Sequence, residues 1–252
     1  MPIPESPREI FQNNPLAEVG YEITISPLLK LENQKPARLQ ESIGEQFPYY
    51  SRGHVEGEIG SDLLEVHNFV SEDRYWKFSV CSRFVRLSTT NYMDREQFRE
   101  RLEPLLTEFA EIYGRNRTLG SVLYYRDVLI RDELGLEGHD WAELLNPVFA
   151  GELASEHISE EEVSGCDRKL SLSVESIEGI AQIEHGLRTL DGQGTVYVFD
   201  TYLKNESEET FTGLIEHLEE YHDLGGHIFR WAISDVLHDA LAGGEDDSSG
   251  SC

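Results

Sequence analysis

Four of the chain's nine histidines, His217, His222, His227 and His238, fall within one stretch, EHLEEYHDLGGHIFRWAISDVLHDAL, interleaved with carboxylates. Imidazoles and carboxylates are the ligands of metal ions and the working groups of acid–base catalysis, so spacing decides what they can do together. On a helix, His227 and His238 lie about three turns apart, on one stripe but roughly 16 Å apart along the axis, too far to share an ion. His217, His222 and His227 each rotate by about 140° from the last and diverge onto different faces. Two pairs survive, Glu219 with His222 and Asp235 with His238, each at i, i+3 like the local unit of a carboxylate-bridged di-metal bundle. That centre needs inward carboxylates from two more helices, and the rest of the chain reads mainly as strand. Solvated helix charges and a histidine near a helix C-terminus are therefore expected, with no metal, no cofactor and no catalytic residue assigned.

Other catalytic patterns fail on inspection. His139 beside Asp140 could be a base and its orienter, but sequence neighbours point apart on any regular element, and a charged loop is the expected reading. There is no Gly-x-Gly-x-x-Gly, no Walker loop, no His-Glu-x-x-His and no Gly-x-Ser-x-Gly. One binding pattern is more specific. If Trp76, Phe78, Val80, Val85 and Leu87 face the core, alternation places Tyr75, Lys77, Phe84 and Arg86 on the opposite sheet face, and the next strand adds Tyr124 and Arg126. Aromatics interleaved with cations on an open sheet suit a single-stranded nucleic acid or another flat anion. The competing reading pairs these cations with the protein's own carboxylates.

These residues need elements to position them. AEVGYEITIS (17–26) has the content of a strand, and Leu39, Ile43 and Phe47 follow on one helical face. RYWKFSV and RFVRLSTTNY alternate as a hairpin turning near Ser82. Asp94 is a good N-cap, with Gln97 three residues on, for a helix carrying Phe98, Leu102, Leu105, Phe109 and Ile112, with a kink expected at Pro104. LGSVLYYRDVLIRD is the next strand. The succession β-α-β-β-α-β predicts a ferredoxin-like order in the N-terminal half. RKLSLSVES, GIAQIEHGLRTL and TVYVFDTYL add three antiparallel strands around a DGQG turn. Ser207 to Leu241 is helical, and Gly225-Gly226 is expected to split it. The whole predicts one α+β domain over residues 1–242, with a mainly antiparallel sheet of six or seven strands, helices on one face and a disordered tail at 243–252. Phe229 and Trp231 are expected to be its buried helical anchors.

Composition narrows the partners. The net charge is -27, yet Arg74 to Arg131 is locally basic and the flanks are acidic. Residues 132–163 hold many carboxylates and no Lys or Arg, which predicts an exposed, self-repelling excursion tied down by Trp141, Leu144 and Leu145. Such acidity disfavours a phosphate-binding surface. Three cysteines, none in a Cys-x-x-Cys pair, suit a reducing compartment. The N-terminus lacks the order of a signal peptide and no run reaches the roughly 18 apolar residues of a membrane span. A cytoplasmic protein is expected.

Three segments, NNPLAEVGYEITISPLLKLENQKPARLQESIGEQFPYY, LIRDELGLEGHDWAELLNP and IFRWAISDVLHDAL, resemble a bacterial and archaeal family of about this length, widely but sporadically distributed and without an established activity. Its Leu-Arg-Tyr strand stands here as Leu123-Tyr124-Tyr125, without the arginine. The resemblance implies a compact domain and carries over no catalytic residue. The readings that follow are a non-enzymatic interaction protein of an accessory or mobile locus, antitoxin- or immunity-like, binding a basic protein partner; a binding module for an anionic ligand or single strand on the sheet face; and a metal-dependent hydrolase.

Overall fold

In the computed structural model, which describes residues 3–56, 63–190 and 194–243, strands form where apolar residues alternate and helices where they recur every three or four positions. β1 (Leu16–Thr24) turns Val19, Tyr21 and Ile23 to the core and Glu18 and Glu22 away from it. α1 (Leu29–Asn33) and α2 (Ala37–Ile43) follow, the latter burying Leu39 and Ile43. Four strands come next: β2 (Tyr49–Glu56), β3 (Leu63–Val70), β4 (Trp76–Val80) and β5 (Phe84–Thr89). The Asp94 side chain caps α3 (Arg95–Tyr113), accepting from the Gln97 N–H at 2.7 Å, and the helix continues through Pro104.

After the short β6 (Arg117–Thr118) and the long β7 (Gly120–Leu129), α4 (Trp141–Leu144) and α5 (Pro147–Ala150) lie among short 3-10 turns. β8 (Cys166–Val174), β9 (Gly179–Leu190) and β10 (Gly194–Asn205) complete the sheet. β11 (Glu209–Thr210) pairs with β6 and leads into α6 (Phe211–Ala232) and α7 (Asp235–Ala242).

The main sheet has nine strands in the order β2-β3-β4-β5-β1-β7-β10-β9-β8, with neighbours antiparallel. This exceeds the expected six or seven, because β2 and β3 intervene between α2 and β4. β2 is an edge strand with no buried residue, so it carries no apolar alternation to read. One face is covered by helices: Trp76 meets Phe98 of α3, Tyr21 meets Tyr221 of α6 and Trp141 of α4 lies 5.3 Å from the Tyr197 ring. No helix among the described residues is long and apolar enough to cross a membrane.

Two expectations need correction. α6 runs unbroken across Gly225-Gly226, and the break comes later, at Ile233, where Ser234 caps α7. Trp231 and Phe229 are half-buried rather than buried, Trp231 lying edge-on to Phe149 at 4.9 Å. The acidic segment 132–163 is mostly exposed, as expected, and is anchored by Trp141, Leu144 and Leu145, with Leu136, Phe149, Ala150 and Leu153 buried beside them. Cations from outside the segment meet its acids, Arg131 holding Glu160 at 2.7 Å and Arg168 pairing with Glu152. Residues 191–193 of the DGQG turn and the tail from 244 lie outside the described residues.

Candidate functional site

The sheet's open face carries Arg86, Tyr124 and Arg126 together around a shallow depression shared with Glu18, Asp200 and Tyr202. Of the other predicted members only Phe84 joins them, its ring centroid 4.9 Å from the Arg86 guanidinium carbon. Phe84 is buried in a small separate cluster with Val66 and Cys81, and Tyr75 and Lys77 do not line the depression. Its two arginines are matched internally, while Lys204, also in the lining, donates to the Gln182 amide oxygen at 2.9 Å and meets no carboxylate among the described residues. Arg86 pairs with Glu22, its Nε donating at 2.7 Å, and Arg126 grips Asp200 at 2.6 and 3.2 Å. Arg188 reaches the same Asp200 at 3.5 Å, and the Tyr124 hydroxyl donates to Glu18 at 2.8 Å. Cross-strand register sets these pairs, since Glu22 opposes Arg86 and Asp200 opposes Arg126.

The C-terminal histidines disperse. His222 turns away from Glu219 to Tyr125 and Tyr92, while His238 pairs with Glu9 at 2.6 Å and Asp235 with Arg230 at 2.6 Å. His217 meets Glu209, and His139 meets Glu143 rather than Asp140. Among the described residues no three His, Cys, Asp or Glu side chains come together in a way that could hold a metal ion.

A deeper cleft of about 450 Å³ opens on the helix-covered side, between β7, β10 and α6. Its roof is the N-terminal segment, held to α3 by Arg8 on Glu96 (3.0 and 2.9 Å) and to α7 by Glu9 on His238 and by the Asn13 N–H on the Leu241 carbonyl (3.0 Å). Alternation along β7 points Leu123, Tyr125, Asp127 and Leu129 inward, which brings an acid to the core side. Asp127 is 6% exposed, and no hydrogen bond or ion pair among the described residues reaches its carboxyl group. Burial, with Asp200 nearby, pushes that carboxyl up to about 8, so it is mostly protonated at neutral pH.

His222 is buried across the cleft from Asp127. Its Nδ1 is hydrogen-bonded to the Tyr125 hydroxyl and lies 3.3 Å from that of Tyr92, while its Nε2 meets no partner among the described residues. Burial, reinforced by Arg95 and Arg8, lowers its pKa to about 3. Sequence reading missed Asp127, although the alternation that turns Tyr124 and Arg126 outward also turns Asp127 inward. The cleft's other half, contributed by residues 6–16, has no local signal at all.

With the fold and cleft described, the chain is placed as an α+β protein with a large antiparallel sheet. In comparisons with protein-family models and with curated proteins, nothing matches it.

Proposed function

We propose that the chain is a non-enzymatic interaction protein of a cytoplasmic accessory locus that engages a basic protein partner through its acidic exterior. One observation carries this reading: the arginines that the open sheet face offers an anion, Arg86 and Arg126, are already met by Glu22 and Asp200, so the protein's surplus charge is carboxylate. Membership of the sporadically distributed prokaryotic family belongs to the same proposal. The contiguous order β4-β5-β1-β7 supports a ferredoxin-like unit at its centre.

A second reading keeps the depression around Tyr124 and Tyr202, whose rings lie 6.3 Å apart, as a platform for an anionic ligand or single strand, and a ligand would have to displace the internal pairs. Titrating wild type and Arg86→Ala with a cationic globular protein and with an oligonucleotide, at two salt concentrations, separates the two. The expected result is binding of the cationic protein that weakens with salt and survives Arg86→Ala. Tight oligonucleotide binding that collapses in the variant would sink the first reading.

A further inference from the structure

We propose that the cleft beneath the N-terminal segment binds an organic cation, an alkylammonium or alkylguanidinium group, with Asp127 receiving the charge and Phe11, Tyr92, Tyr125 and Phe229 surrounding the stem. A carboxyl group 6% exposed and without a hydrogen-bond partner among the described residues is costly to bury. It lines a space of about 450 Å³, within the size range of small-molecule sites and far larger than one water needs.

Three arginines also line the cleft, yet each is engaged: Arg8 by Glu96 through two bonds, Arg95 by Asp223 at 2.6 Å, and Arg230 by Asp235 at 2.6 Å. An anion would compete with those pairs, whereas a cation meets an acid with no competing partner, which gives up its proton to solvent as the ion pair forms. Aromatic rings present negative faces, which suit a cation and its apolar stem. A metal ion fits poorly, because hard divalent ions take six or more oxygens and no group of three candidate ligands forms among the described residues. Gly226 is part of the cleft lining, and an added Cβ there would meet nothing within 4 Å, so the position accepts a side chain.

This inference goes beyond the surface reading above. The cation could be a free amine or a basic side chain of a protein, and the test separates these sources. The full chain is titrated calorimetrically at about 0.15 M salt, where exposed charges are screened beyond about 8 Å. The probes are butylammonium, butylguanidinium, neutral butyramide and anionic butyrate, with a lysine-rich peptide and its fully acetylated form. Two variants are measured beside wild type: Asp127→Asn, which keeps the shape and removes the ionisable carboxyl, and Gly226→Leu, which adds a side chain to the cleft lining and leaves Asp127 in place.

The expected result is at least tenfold preference for the butyl cations over both isosteres, lost by tenfold or more in each variant, with circular dichroism confirming the fold. If Asp127→Asn does not fold, Gly226→Leu decides. A peptide bound tenfold or more tighter than the butyl cations, with the excess lost in both variants and on acetylation, makes a protein side chain the source. Equal or weaker peptide binding makes it a free amine. Butyrate or butyramide binding as well as the cations, or cation affinity within twofold of wild type in the variants, overturns the proposal. Peptide binding that depends on salt and ignores both variants also overturns it, while leaving the exterior reading standing.

Discussion

At the scale of single residues, Asp127 and His222 are ionisable groups that burial keeps neutral, and each ties stability to pH. Asp127 has a folded-state pKa of about 8, above the roughly 3.9 of an unfolded aspartate. The folded protein therefore holds a proton that the unfolded chain releases. The contribution of Asp127 is full below the unfolded value and falls as pH rises toward 8. Asp127→Asn should remove that fall, raising the melting temperature more at pH 8 than at pH 5; an equal change at both would show the carboxyl to be solvated. His222 has the opposite sign. Its folded pKa of about 3 gives stability that is present above roughly 6.5 and lost as pH falls. Trp141 of α4 and Trp231 of α6 differ for a plainer reason, depth. Trp141 is fully buried against Tyr197 and Trp231 only half-buried, so in chemical denaturation Trp141→Ala should cost about 3–5 kcal/mol and Trp231→Ala distinctly less.

At the scale of elements, α6 shows how packing overrides propensity. Gly225 and Gly226 lower helix propensity by about 1 kcal/mol each, yet the helix is continuous because ten of its residues are buried, Leu214, Leu218, Tyr221 and Ile228 among them. The two glycines have different reasons to be there. A Cβ at Gly225 would stand 2.6 Å from the ring of Tyr125, which is itself tied to His222, whereas one at Gly226 would meet open space. Gly225→Ala should therefore destabilise the protein and Gly226→Ala stabilise it by up to about 1 kcal/mol, compared by urea midpoints. Two stabilising outcomes would mean that Tyr125 can move aside at little cost. β2 and the acidic segment show the converse limits of periodicity. An edge strand with no fully buried residue has no clear apolar alternation to read, and charge counting hid Phe149 and Leu153 as anchors.

At the scale of the whole molecule, a charge of -27 repels itself, and the internal pairs leave that excess largely unrelieved. Exposed ion pairs such as Arg52–Glu65, at 3.2 Å, contribute little and weaken with salt, while the self-repulsion weakens too. The net repulsion should dominate, so raising salt from about 0.1 M to about 1 M, which shortens the screening length from about 10 Å to about 3 Å, should raise the melting temperature. A fall would mean that the ion pairs outweigh the surplus charge.

The sequence by itself determined the local periods: the alternation of β1, β4, β5 and β7, the Asp94 cap with the helix behind it, and which side of β7 each residue faces. These depend on neighbours in the chain and on burial of one face, and both are written in residue order. The tertiary structure alone decided that Arg86 and Arg126 are neutralised, because Glu22 and Asp200 lie 64 and 74 positions away and meet them only through strand register. It also decided that a cleft exists. The roof of that cleft joins residues 88 and 229 positions apart, through Arg8 with Glu96 and Glu9 with His238, and no local pattern encodes contacts at such separations.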